Sequence, residues 1–113
     1  MNDPSSGARL LTAGDGRLQV QGAMDFATVG RLLAEAEPLF RRNCRLLIDL
    51  SGVKTANSAG LVLLLEWMDL ARSRRVSLRY LNLPESLARI ADISNIRSLL
   101  PVVENGSVPS RVS

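Results

Sequence analysis

Polar and hydrophobic residues alternate at residues 17–21, and residues 8–12 before them have the length and composition of a short strand. Between them, residues 14–16 have the sequence Gly-Asp-Gly, which is typical of a tight turn. Alternation with a period of two is typical of a strand with one buried face. The pattern therefore predicts a β-hairpin whose Leu18 and Val20 point into the core.

From Phe26 onward the apolar residues recur at steps of three and four, which is typical of an amphipathic helix. These apolar positions are Phe26, Val29, Leu32, Leu33, Ala36 and Phe40. Asp25 precedes them and has a side chain suited to capping the helix. Pro38 lacks a backbone N–H, so we expect a kink or an early end of the helix near that residue.

The middle of the chain predicts a buried strand followed by a second helix. Residues 45–50 form a short apolar run with one carboxylate, as expected of a central strand. Residues 51–57 have the composition of a loop, and an apolar helix-forming segment follows at residues 58–73. A further strand is predicted at residues 76–81, and Pro84 suits the first turn of a third helix.

Together these elements predict one α/β domain at residues 8–103, with a small mixed β-sheet packed by about three to four helices. Residues 96–103 fit either a last helical turn or an edge strand. We expect residues 1–7 to be flexible and residues 104–113, which lack periodicity, to be disordered. The connection between the third and fourth strands is expected to be a right-handed crossover, the single one in the sheet.

The composition argues against an enzyme. The 113 residues include no histidine and a single cysteine, which excludes histidine-based triads, Cys–His pairs and the common zinc sites. No phosphate-binding loop or dinucleotide-binding glycine pattern is present, and the scattered aspartates make no persuasive acid–base pair. We therefore expect no catalytic residues, no metal and no cofactor.

The composition also predicts the compartment of the protein. Cys44 has no second cysteine to pair with, no apolar run reaches the roughly 18 residues of a membrane span, and residues 1–9 lack the apolar core of a secretion signal. These features predict a cytoplasmic protein.

The net charge is +3, and the arginines cluster where helices are expected to end. They include Arg41, Arg42, Arg45, Arg72, Arg74 and Arg75. Cations there complement the helix dipole, and no aromatic residue lies among them to stack on bases, so we predict no nucleic-acid partner.

The strongest candidate site is the opening of the second helix, where Asn57, Ser58, Ala59 and Gly60 follow one another. Small side chains allow another surface to approach the backbone, and the N–H groups of a helix N-terminus can donate hydrogen bonds to it. We therefore predict that these four residues bind a partner protein. Alternatively, Asn57 or Ser58 is only the N-cap of the helix, which contributes about 1 kcal/mol to stability.

The same helix has a wider apolar surface than one sheet can cover. Its main apolar face consists of Leu61, Leu64, Leu65, Met68 and Ala71. Leu63, Trp67 and Leu70 lie beside that face, and we predict that they are exposed and contact the partner. The alternative is a deeply buried helix with additional cover from the C-terminal segment.

Three motifs, in this order and spacing, resemble those of the STAS domains (sulfate transporter and anti-sigma factor antagonist). They are Gly-Ala-Met-Asp-Phe-Ala-Thr at residues 22–28, Leu-Leu-Ile-Asp-Leu-Ser-Gly-Val at 46–53 and Asn-Ser-Ala-Gly-Leu at 57–61. The resemblance covers about residues 8–100 and implies the STAS fold. Within the family, the run Gly-Leu-Val-Leu-Leu-Leu at residues 60–65 is most similar to the MlaB-type subunits of Mla phospholipid ABC transporters.

This resemblance implies a non-catalytic accessory subunit. Such a subunit binds the cytoplasmic ATPase of an ABC transporter, in a complex that includes a membrane permease, and supports its assembly and activity. The transporter maintains the lipid asymmetry of the Gram-negative outer membrane. The protein would then be cytoplasmic and peripheral to the inner membrane through its partner, without inserting into the bilayer.

The resemblance also implies an alternative, an anti-sigma factor antagonist. Ser58 occupies the position of the family's phosphorylatable or partner-contacting Ser/Thr, and a partner serine kinase would phosphorylate it and break the complex by adding charge. The family's acidic residue before that serine is Asn57 here, which argues against the kinase switch. A third hypothesis is an anion or nucleotide sensor at the same helix N-terminus, although residues 51–60 offer no aromatic or carboxylate to bind a base or ribose.

Overall fold

Five strands and three helices alternate along the chain in the computed structural model, which describes residues 7–103. The strands are β1 (Ala8–Thr12), β2 (Arg17–Met24), β3 (Arg45–Ala56), β4 (Ser77–Leu81) and β5 (Val102–Val103). The helices are α1 (Val29–Arg42), α2 (Ser58–Arg74) and α3 (Glu85–Ile93), and a short 3₁₀ helix spans Arg97–Leu99. The predicted flexible start at residues 1–7, except for Gly7, and the predicted disordered tail at residues 104–113 lie outside the described residues.

The sheet has the order β1-β2-β3-β4-β5, in which β1 pairs antiparallel with β2 and all other pairs are parallel. This is the predicted mixed sheet, but the prediction of a single crossover is wrong. Three parallel connections run through α1, α2 and α3, because β2 pairs with β3 and β4 pairs with β5 in parallel. Since the order in the sheet follows the order in the chain, right-handed crossovers place all three helices on the same face.

The core lies between that face and the helices. Alternate strand residues point into it and are buried, as the period of two requires. On the strands they are Leu18, Val20, Leu46, Ile48, Leu50, Leu78 and Tyr80. The helices contribute Leu32 and Phe40 of α1, Leu64 of α2 and Leu87 of α3 to the same cluster. One continuous core therefore holds the sheet and the three helices together.

The predicted loop at residues 51–57 is wrong, because β3 continues to Ala56. Its second half pairs with the end of β2, with Gly52 opposite Gln21 and two register irregularities on the way. A Cβ on Gly52 would lie 2.8 Å from the Val20 carbonyl oxygen, so only glycine allows the two strands to approach this closely. The polar residues of this segment gave no sign of a strand, because strands pair through backbone hydrogen bonds and do not require a run of apolar side chains.

Helix α1 differs from its prediction at both ends. It begins at Val29, because the Asp25 carboxylate accepts the Ala27 N–H at 2.9 Å and holds residues 25–27 in a turn. Its N-cap is Thr28, whose hydroxyl instead donates to the Ala23 carbonyl at 2.8 Å. Pro38 does not end the helix, which continues to Arg42. Pro38 lacks only its own N–H, so the residues after it can still donate to carbonyls one turn earlier.

The remaining predictions are close to the structure. Helix α2 begins at Ser58, as predicted, and β4 spans most of the predicted strand. Pro84 is the N-cap of α3 rather than a residue of its first turn. The ambiguous residues 96–103 contain both alternatives, the 3₁₀ helix and the edge strand β5.

Candidate functional site

The opening of α2 lies at the edge of the sheet where β2 and β3 end together. Ala56, the last residue of β3, is paired with Met24, the last residue of β2. The Asn57 N–H then donates to the Met24 carbonyl oxygen at 3.2 Å. The first turn of α2 is therefore fixed beside the β2–α1 loop, which includes Phe26.

Asn57 is the N-cap of α2, which decides between the two cap candidates. Its side-chain oxygen accepts the Ala59 N–H at 2.8 Å, and its backbone carbonyl accepts the Gly60 N–H at 2.8 Å. Ser58 is the first helical residue and its side chain is exposed. Because Asn57 performs the capping, the Ser58 hydroxyl remains available to a partner. The N–H groups of Ala59 and Gly60 already have acceptors, so few N–H groups of the first turn remain to bind an anion.

Ala59 and Gly60 face the core. Ala59 is 2% exposed, and a Cβ on Gly60 would lie 3.1 Å from the Met24 Cβ and 3.3 Å from the Leu87 Cδ2. The small residues do allow a close approach, as the sequence suggested, but the approaching surfaces are β2 and α3 of the same chain. The contact of Ala59 and Gly60 with a partner stays a prediction, in which neither residue offers an exposed side chain.

The expectation that Leu63 and Trp67 protrude is wrong. They are 2% and 0% exposed, respectively, and both belong to the core cluster, while Leu70 is half-buried against it. Helix α2 is the middle helix, packed between α1 and α3 above the sheet, so neighbours cover its apolar surface on three sides. The alternative of a deeply buried helix is therefore correct, although much of the cover comes from α1 and α3.

Two exposed apolar side chains lie on α2 and on the adjacent β2–α1 loop instead, and neither was among the predicted site residues. Val62 lies one helical turn after Ser58 and is 53% exposed, and Phe26 in the adjacent loop is 78% exposed. The signal for Val62 was its spacing of four residues from Ser58, which places both on one side of the helix. We call Phe26, Asn57, Ser58 and Val62 the α2 surface.

Residues 7–103 contain no group of three or more potential metal ligands close enough to hold an ion. In the same part of the chain, no helix has both the length and the apolar character that crossing a membrane requires. The α2 surface is thus a patch with one free hydroxyl and two exposed apolar groups. Its chemistry suits contact with another protein.

Three solved structures illustrate which proteins share this fold. An anti-sigma factor antagonist from Mycobacterium paratuberculosis is 18% identical with a TM-score of 0.68, over 96% of this chain and 92% of that one. The Bacillus cell fate determinant SpoIIAA in its phosphorylated form is 13% identical with a TM-score of 0.64, over 87% and 90%. SLC26A9 is 12% identical with a TM-score of 0.57, over 75% of this chain and 17% of that one. At these identities the likeness shows the fold alone.

The sequence itself places the chain within a family more narrowly than these structures do. No curated protein matches it at a significant level. A family model described as "Mlab, STAS domain" matches residues 8–101, which is nearly all of the described structure. The three motifs noted in the sequence lie inside that match, at the end of β2, along β3 and at the opening of α2. The chain therefore belongs to the MlaB-type STAS domain family.

Proposed function

We propose that this protein is a non-catalytic accessory subunit that binds the cytoplasmic ATPase of an Mla-type ABC transporter. In that role it supports the assembly and activity of the transporter in phospholipid trafficking and outer-membrane lipid asymmetry. The protein would be cytoplasmic and held at the inner membrane through the ATPase and its permease. The membership of the MlaB-type family over residues 8–101 motivates this choice among the functions of STAS domains.

The observation that carries the proposal is the α2 surface. Ser58 is exposed and relieved of capping by Asn57, and Val62 and Phe26 add two exposed apolar side chains beside it. Burying an exposed apolar side chain of this size contributes up to about 1.5 to 3 kcal/mol. A partner that covers Phe26 and Val62 would gain that energy, and the Ser58 hydroxyl would add a directional hydrogen bond.

The test compares Ser58→Glu with Ser73→Glu, because both serines are exposed and stand at opposite ends of α2. Each tagged variant is purified gently from detergent-solubilised native cells, and the co-purified ATPase and permease are quantified by mass spectrometry. We expect Ser58→Glu to lose the ATPase and Ser73→Glu to retain it, while circular dichroism shows both folded. A carboxylate near a helix N-terminus favours the helix, so Ser58→Glu should not unfold the domain.

Val62→Glu provides a second, independent variant of the same surface. It replaces an apolar contact with a charge at a side chain that is already 53% exposed, so the fold should tolerate it. Retention of the ATPase by both Ser58→Glu and Val62→Glu would overturn the α2 surface as the binding site. Absence of any ABC ATPase from the purified unmodified protein would overturn the transporter role itself.

The alternative function is an anti-sigma factor antagonist controlled by phosphorylation of Ser58. The exposure of Ser58 and the fold shared with phosphorylated SpoIIAA favour this alternative. Phosphate on Ser58 would add nearly two negative charges beside Phe26 and Val62 and would oppose burial of that surface. Phosphorylated Ser58 in the native protein, together with a co-purified serine kinase, would support this alternative over the transporter role.

A further inference from the structure

The sheet has a second face, which we call the open face, and no helix within residues 7–103 covers it. All three helices contribute to the single core on the other face. On the open face, the outward positions of the first four strands include Arg9 on β1, Arg17 on β2, Arg45 on β3 and Arg79 on β4. All four arginines are exposed. Arg45, which was expected at a helix end, is instead the first residue of β3.

The open face carries more positive charge than it can neutralise itself. The described residues form six ion pairs, and none of them includes Arg9, Arg17, Arg45 or Arg79. The one carboxylate on this face in the described strands is Asp49, which already accepts the Asn82 amide at 3.0 Å and the Ser51 N–H at 2.9 Å. Four arginines thus share a single carboxylate, which accepts both of these hydrogen bonds at Oδ1 and interacts electrostatically with Arg17.

The positions of these residues form a regular pattern across the strands. Arg17 and Arg79 are both in register with Leu47, one on each side, so their Cα atoms lie about 10 Å apart, twice the strand spacing. Two residues further along β3 and β4, Asp49 is in register with Leu81. Both leucines are half-buried, which fits cover by the aliphatic stems of neighbouring arginines. Leu47 thus lies between two positive side chains, and Leu81 lies next to Asp49 on the same face.

A parallel sheet with one face open is uncommon, because parallel strands are normally covered on both faces. Here β2, β3, β4 and β5 are all parallel. The arginines at helix ends have a local explanation, since Arg41, Arg72 and Arg74 pair with carboxylates and complement helix dipoles. Arg9, Arg17 and Arg79 lie on strands, where no helix dipole explains them. A partner that covers the face and supplies carboxylates explains both features.

The chemistry of the open face favours a protein segment over a membrane or nucleic acid. The exposed large apolar side chains of the described chain are Phe26, Val62, Ile93 and Leu99, and none of them lies on this face. It therefore lacks the protruding groups that interfacial membrane binding uses. It also has no aromatic side chain for base stacking. The central carboxylate of Asp49 would repel the phosphates of lipid or nucleic acid, whereas a protein segment can place a neutral group opposite it.

We propose that the open face binds an acidic amphipathic segment of a partner protein, whose carboxylates pair with Arg9, Arg17, Arg45 and Arg79 and whose apolar residues cover Leu47 and Leu81. This site is separate from the α2 surface and does not depend on the transporter role. Charge complementarity of this kind mainly raises the association rate and the specificity. Binding should consequently weaken as the salt concentration rises.

The test uses the full chain, isotopically labelled for NMR, and three defined probes. They are a synthetic amphipathic helical peptide with Glu on one side and Leu on the other, vesicles of equal parts phosphatidylglycerol and phosphatidylcholine, and a short duplex DNA. The variant Arg17→Gln with Arg79→Gln is compared with Arg42→Gln with Arg89→Gln, which removes the same charge from exposed helical positions. Glutamine retains most of the side-chain stem, so both variants should remain folded, which thermal denaturation checks.

We expect the peptide to shift the amide signals of Arg17, Leu47 and Arg79, and its affinity to fall about tenfold in the sheet variant but not in the helix variant. An equal loss of affinity in both variants would reduce the effect to net charge and overturn the proposal. The proposal also fails if the peptide does not bind. Signals on the open face that respond to the vesicles or the duplex, and not to the peptide, would reassign the face to a membrane or a nucleic acid.

Discussion

At the scale of single residues, the two largest buried side chains differ in how their polar atoms are satisfied. Tyr80 is 0% exposed and its hydroxyl donates to the Leu64 carbonyl of α2 at 2.6 Å. Trp67 is also 0% exposed, but its Nε1 has no hydrogen-bond partner within the described structure. A buried donor without a partner costs about 1 to 3 kcal/mol. Tyr80 therefore joins α2 to the sheet, whereas Trp67 stabilises the core by apolar burial alone.

This difference gives different expectations for the two phenylalanine variants. Trp67→Phe loses ring volume but also removes the unsatisfied N–H, so we expect a change in the free energy of unfolding within about 1 kcal/mol. Tyr80→Phe removes a satisfied hydrogen bond without a compensating gain and should cost about 1 to 1.5 kcal/mol. Urea denaturation measures the free energy of unfolding of both variants. The reference for full loss of packing is Trp67→Ala, which we expect to cost about 3 to 5 kcal/mol. A cost for Trp67→Phe close to that of Trp67→Ala would show that the N–H does have a partner.

At the scale of secondary-structure elements, two helical glycines have opposite surroundings. Gly30 lies in the first turn of α1, and a Cβ there would meet nothing within 4 Å. Gly60 lies in the first turn of α2, where a Cβ would lie 3.1 Å from the Met24 Cβ and 3.3 Å from the Met24 carbonyl oxygen. The first glycine is thus dispensable for packing, whereas the second sets how closely α2 approaches β2.

We therefore expect Gly30→Ala to stabilise the protein by about 0.5 kcal/mol, since alanine restricts the unfolded chain and favours the helix. Gly60→Ala gains the same propensity but compresses the contact with Met24, so we expect a net loss, and a larger one for Gly60→Val. Thermal denaturation of the three variants distinguishes these outcomes. If Gly60→Ala were as stable as Gly30→Ala, α2 would not be packed against β2 as described.

The elements also differ in how far the sequence could reveal them. Helix α2 was predicted almost to the residue, because its apolar run and the Asn57 cap are local signals. The second half of β3 was missed, because its pairing with β2 is a long-range property that a polar composition hides. Trp67 was predicted at an exposed edge, because a helical wheel gives the width of an apolar surface but not how many neighbours cover it. Only the packing of α1 and α3 on either side of α2 decides that.

At the scale of the whole molecule, the two proposed surfaces are set apart by the fold itself. Because the three crossovers put every helix on one face, Ser58 lies on the helical layer at the edge where β2 and β3 end. Arg17 and Arg79 lie on the opposite face of the sheet. The core separates the two surfaces, and no residue belongs to both. The domain could consequently contact two proteins, or two segments of one protein, at the same time.

This separation predicts that the two surfaces act independently, because mutations at distant sites without shared partners usually have additive effects. We expect Ser58→Glu to lose the ATPase while retaining the full affinity for the acidic peptide. Conversely, Arg17→Gln with Arg79→Gln should lose peptide affinity while retaining the α2 contact. Peptide titration and quantitative co-purification of the same two variants, and of their combination, measure both properties. Loss of both activities in either variant would mean that a single partner segment spans the edge of the sheet, and the two surfaces would then be parts of one interface.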